Sequence, residues 1–180
     1  MKRSLVRRLK RTVGEEYSPG TDQFRRVRQA IQREAVPDND TPGEFAEVLA
    51  SAPERRRDSF RGLLEGYLTF ASGHRLARTT VPKLAWTYRA LRVTMPPHLS
   101  LLVDGAPYVI RFHYGAAPAS RHDVLALVQL MDTAGAARFG RPAVLDLRRS
   151  ALVTARPDHA SARTMRAEAA ELLRLWRSRS

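Results

Sequence analysis

PPHLSLLVDGAPYVIRFHYG, residues 96–115, decides how the rest of the chain reads. Leu99, Leu101 and Val103 alternate with Ser100 and Leu102, the dipeptide Asp104-Gly105 follows, and Tyr108, Ile110, Phe112 and Tyr114 then alternate with Val109, Arg111 and His113. A period of two on both sides of a dipeptide that accepts positive φ predicts a β-hairpin. Its apolar side chains would face a layer of helices, leaving Arg111 and His113 on the open side of the sheet.

Downstream, Ser120 with Asp123 three residues later caps a helix through about Thr133, with Val124, Leu127, Val128 and Met131 as its stripe and Gly135 just past its end. RPAVLDLRRSALVTA, residues 141–155, reads as a second hairpin, Ala143–Leu147 and Ala151–Ala155, joined through Arg148-Arg149-Ser150. A final helix from about Ala160 to Arg177 would bury Met165, Ala169, Leu172, Leu173 and Trp176.

Upstream, residues 79–97 are ambiguous. Trp86 and Ala90 suit a helix, whereas Leu91 to Met95 alternates like a strand ended by Pro96-Pro97. Before Gly73 the pattern is helical. Thr41-Pro42-Gly43-Glu44 and Ser51-Ala52-Pro53-Glu54 both resemble capping boxes, and the second opens a helix over about 53–72 with Phe60, Leu63, Leu64, Tyr67, Leu68 and Ala71 on its buried face. Phe24, Val27 and Ile31 mark an earlier helix, and Leu5, Leu9 and Val13 mark a short basic one over 3–13. The order of helices, then ββ, α, ββ, α predicts an α+β protein: a helical N-terminal half followed by a mainly antiparallel sheet of two hairpins, with helices packed on one face. Residues 1–35 read as a basic helical arm and 36–180 as a single α+β domain.

The 180 residues, 43% of them apolar, suffice for one core. There is no cysteine, which removes disulfides, thiolate metal sites and a cysteine nucleophile. No apolar run follows the basic N-terminus and none is long enough to span a bilayer, so a cytoplasmic protein without stable membrane association is expected. Lysine plus arginine number 31 against 18 acids, a formal net charge of +13, and anionic partners follow. Lysine occurs only at Lys2, Lys10 and Lys83, so the excess is almost all arginine, a skew that a GC-rich genome also produces. Position along the chain is therefore more telling than the total. Residues 2–11 and 66–103 contain no acid, and the latter stretch interleaves its cations with Trp86 and Tyr88.

No Gly-x-Ser-x-Gly, phosphate loop or dinucleotide fingerprint is present, and no two of His74, His98, His113, His122 and His159 share a helix face at four-residue spacing. No cofactor or metal is expected from these patterns. His113, His122 and Asp123 could form a base and its orienter if the helix folds over the hairpin.

The placement of Asp104 in the first hairpin, ahead of the triplet Arg111-Phe112-His113, with Asp146-Leu147-Arg148 further on, resembles the core of restriction-endonuclease-like nucleases over residues 99–147. The resemblance implies two carboxylates holding Mg²⁺ and a basic residue orienting water. Here Arg111 occupies a position where that family carries an acid, and a cation there repels a metal. The triplet Asp146-Leu147-Arg148 restores acid-x-base but lies outside the hairpin. The resemblance thus implies a degenerate relative, or a weakly active one using Asp104, Asp146 and Arg148.

The sequence reading is a non-catalytic protein that associates with nucleic acid through Arg7, Arg8, Arg11, Arg75, Arg78, Lys83, Arg89, Arg111, Arg148 and Arg149. The alternatives are the nuclease-like protein just described and a protein-interaction module whose charge is a by-product of base composition. An enzyme is the minority reading. DNA against RNA and the oligomeric state stay open.

Overall fold

The computed structural model describes residues 22–36 and 43–177. The basic helix expected over 3–13, with Arg7, Arg8 and Arg11, lies outside the described residues. The elements in chain order are α1 (Arg25–Arg33), α2 (Gly43–Ala50), α3 (Glu54–Ser72), β1 (Leu76–Arg78), β2 (Leu84–Tyr88), β3 (Leu91–Met95), β4 (Leu99–Val103), β5 (Ala106–His113), α4 (Arg121–Thr133), β6 (Arg141–Asp146), β7 (Ala151–Thr154) and α5 (His159–Arg177), with short 3₁₀ turns at Ala136–Arg138 and Leu147–Arg149.

The expected hairpin is β4–β5, antiparallel with Leu99 opposite Ile110 and Val103 opposite Ala106. Its two-residue turn places Asp104 at φ 51° and Gly105 at φ 85°. A β-branched side chain resists that region, so Gly105→Val is expected to destabilise the fold by about 1 kcal/mol or more. An unchanged urea midpoint would show that the turn does not depend on glycine.

The main sheet has the order β1-β4-β5-β6-β7, and a separate two-stranded sheet is formed by β2 and β3. A helices-plus-sheet architecture was expected, but two of its details differ. β5 and β6 run parallel, from Tyr108 opposite Arg141 to His113 opposite Asp146, so α4 is a crossover between them and the sheet is mixed. Helices also cover both faces. Leu101, Ile110, Phe112 and Leu145 pack in one cluster with Ile31, Phe60, Leu63 and Tyr67 of α1 and α3. On the opposite face Val144 meets Val124 and Val128 of α4, while Val109 meets Met131 and the ribbon residue Leu84. Val109 and Val144 are the sign of that second layer: Ala143, Val144 and Leu145 form the unbroken apolar run of a strand covered on both sides.

Residues 79–97 hold no helix. β2 and β3 pair from Leu84 opposite Met95 to Tyr88 opposite Leu91, with Arg89-Ala90 as the turn. The expected buried faces of two helices are also narrower than the pattern implied. Leu68 on α3 is 43% exposed, and on α5 only Ala169 is fully buried, with Met165, Leu172, Leu173 and Trp176 half-buried. Val27 and Ile31, grouped by sequence with an arm, have no exposed surface and belong to the main core.

Candidate nucleic-acid interface

The ends of β5 and β6 bring together five of the residues that the sequence singles out, Arg111, His113, Asp146, Arg148 and Arg149. Their side chains turn to the chain's own backbone. Arg111 is half-buried and donates from Nη1 to the Pro96 carbonyl at 2.7 Å. Burial shifts its pKa down from the ordinary arginine value, opposed by the nearby Tyr114 and reinforced by Arg28. His113 Nε2 donates to the Ala117 carbonyl at 2.9 Å. Asp146 is buried and accepts from the Ala119 N–H at 3.1 Å and from Arg149 Nη1 at 3.2 and 3.3 Å. Arg149 Nη2 donates to the Ala116 carbonyl at 2.7 Å, and Arg148 donates to the Tyr114 carbonyl at 3.4 Å and to Ser59 Oγ at 2.6 Å. Four side chains therefore hold four backbone groups of residues 114–119, the loop that leads from β5 into the crossover helix. These hydrogen bonds satisfy polar groups that the turn would otherwise leave unpaired.

Asp104 sits at the other end of the sheet. The eight residues of β5 separate its turn from the Arg111–His113 end, about 25 Å at the rise of an extended strand. Its Oδ2 meets His74 Nδ1 at 2.6 Å and its Oδ1 accepts from the Arg75 N–H at 2.9 Å, tying β1 to the β4–β5 turn. Those hydrogen bonds, the backbone one first, hold the Asp104 carboxyl below the usual aspartate value. The structure thus does not bring Asp104 and Asp146 together. His113, His122 and Asp123 do not form a hydrogen-bonded set either: His113 turns to Ala117, and Asp123 accepts from Ser120 Oγ at 2.6 Å. Among the described residues no group of three or more histidines and acids is placed to hold a metal ion.

Among the described residues, two of the three buried polar ones, His98 and Gln129, have no structural role assigned by the sequence reading. His98, 8% exposed, immediately precedes β4 and accepts the Phe112 N–H on Nδ1 at 2.9 Å. Its backbone N–H donates to the Ile110 carbonyl, and its own carbonyl accepts from Gln32 Nε2. Its imidazole continues the ladder past Leu99. Burial, then the charges of Arg111 and Arg28, push its pKa down to about 2, so the ring is neutral and carries its proton on Nε2. No spacing in the sequence marks this role, because it depends on a cross-strand partner fourteen residues away.

The remaining basic positions separate into two groups. Arg78 donates to the carbonyls of Gln32 and Arg33, capping the C-terminal end of α1, so it joins Arg111, Arg148 and Arg149 in holding the fold. Arg75, Lys83 and Arg89 are exposed, as is Arg92 opposite Thr87. Lys83, Arg89 and Arg92 surround the β2–β3 ribbon, which packs through Leu84 and Met95 against Val109, Met131 and Ala136. At its tip the Arg89 guanidinium lies 5.3 Å from the centroid of the Tyr88 ring.

No family model, curated protein or solved structure matches this chain. Among the described residues no helix is long and apolar enough to cross a membrane.

Proposed function

We propose that the protein is a non-catalytic nucleic-acid-associating protein whose contact surface is the β2–β3 ribbon. The observation that carries this reading is the exposure of Lys83, Arg89 and Arg92 on one small element, inside the acid-free stretch 66–103. Cations without neighbouring acids keep their charge available for phosphate. Arg78, Arg111, Arg148 and Arg149 are already engaged with carbonyls or carboxylate and act mainly on the fold. A weakly active nuclease built on Asp104, Asp146 and Arg148 is the less supported reading, because the two acids stand at opposite ends of β5 and Asp146 is occupied by Arg149 and Ala119.

Titration of labelled DNA and RNA at several salt concentrations tests the reading. Each phosphate contact contributes about 0.7–0.9 to the log–log salt slope, so replacing Lys83, Arg89 and Arg92 together by alanine should lower the slope by about 2–3. With Mg²⁺ present the probes should stay intact. Absence of binding at low salt, or a slope that ignores the triple substitution, would favour the protein-interaction alternative. Cleavage abolished by Asp146→Asn would favour the nuclease.

A further inference from the structure

We infer that the β2–β3 ribbon engages double-helical DNA by entering its major groove, an inference that rests on the reading above and narrows its ligand. The first support is shape. A two-stranded ribbon fits the wide major groove of B-form DNA, whereas the deep, narrow major groove of an RNA duplex does not admit side chains.

The second support is the division of labour between the ribbon's faces. Leu84, Trp86 and Tyr88 on β2, with Leu91, Val93 and Met95 on β3, form the side turned to the body of the protein and are buried or half-buried. The opposite side carries the cross-strand pairs Ala85–Thr94 and Thr87–Arg92, and Thr87, Arg92 and Thr94 are all exposed. Threonine hydroxyls and an arginine fork are groups that reach base edges, and Lys83 at the base supplies a phosphate contact.

The tip is the third support. Arg89 has φ 52°, in a two-residue turn position that glycine, asparagine or aspartate fill with less strain. An arginine held there against its backbone preference, with its guanidinium over Tyr88, points to a contact that needs that charge at the extreme end of the ribbon. The aromatic residues argue against an unpaired strand as the ligand. Trp86 is only 8% exposed and lies 5.9 Å, ring to ring, from Tyr88, so the indole is not presented as a platform for a stacking base.

The test compares duplex DNA, duplex RNA and single-stranded DNA matched in phosphate number, by fluorescence anisotropy at one salt concentration. Duplex DNA should bind tightest, by about tenfold. Arg92→Lys keeps the charge but removes the bidentate fork, and should weaken duplex DNA binding about fivefold or more while leaving the salt slope unchanged. Arg89→Gly suits the turn and should fold at least as well as the parent, yet bind duplex DNA more weakly. Equal affinity for the three probes, or tightest binding of the single strand, overturns groove entry while leaving nucleic-acid association standing. Binding to none of them overturns both.

Discussion

Gly66→Ala is expected to remove about 3 kcal/mol or more of stability, while Gly62→Ala, one turn earlier on the same helix, is expected to be neutral or stabilising. A Cβ on Gly66 would lie 1.6 Å from the carbonyl oxygen of Leu147 and 2.8 Å from its carbonyl carbon. Those are backbone atoms of the 3₁₀ turn that follows β6, and Leu147 itself has no exposed surface, so neither side can yield by changing a rotamer. To accommodate the methyl group α3 must lift from the sheet, and Phe60, Leu63 and Tyr67 would move with it. At position 62 the same methyl would sit 3.4 Å from Arg148 Nη1, the end of a flexible side chain. There the gain of about 1 kcal/mol for alanine over glycine in a helix interior decides the sign. Urea denaturation of both variants checks the contrast, and a Gly66→Ala midpoint equal to that of Gly62→Ala would refute the close approach.

Gly66 also shows why only part of the fold is legible in the sequence. The β4–β5 hairpin is readable because its information is local: two alternating runs and an Asp-Gly turn lie within fifteen residues. The Ser120 cap, which accepts the Asp123 N–H at 3.1 Å, is local too. The parallel pairing of β5 with β6 joins residues some thirty positions apart and leaves no turn signature, so the two hairpins, β4–β5 and β6–β7, do not disclose the crossover between them. Helices on both faces were hidden because Arg111 and His113 follow Val109 on what looks like a polar side, whereas Val109 is buried and Arg111 turns to Pro96. At the candidate interface the excess of cations was readable and their employment was not. Arg78, Arg148 and Arg149 look as available in sequence as Lys83 and Arg89 do, and only distances to carbonyls tell them apart.

Acidification from pH 6.5 to 4.5 is expected to destabilise the protein, with His98 contributing a slope of up to about 1.4 kcal/mol per pH unit. The imidazole has an ordinary value of 6.5 and is pushed down to about 2 in the fold, by burial first and then by the guanidinium groups of Arg111 and Arg28. Above 6.5 the ring is neutral in both folded and unfolded chains, and its contribution is fully present. Between the two values the unfolded chain takes up a proton that the folded chain refuses, so stability falls as pH falls. A charged ring would also lose the lone pair on Nδ1 that accepts the Phe112 N–H, opening the ladder where β4 begins. Asp104 and Asp158 have lowered values as well, but as carboxylates they lose their contribution only below the ordinary 3.8, outside this window. His98→Asn offers Oδ1 in place of Nδ1 as an acceptor and does not titrate. Urea midpoints measured at half-unit intervals should therefore decline in the parent and lose His98's share of the slope in the variant. A parent midpoint that stays flat over the window, or a His98→Asn variant with the full parental slope, would mean that His98 takes up its proton without cost to the fold.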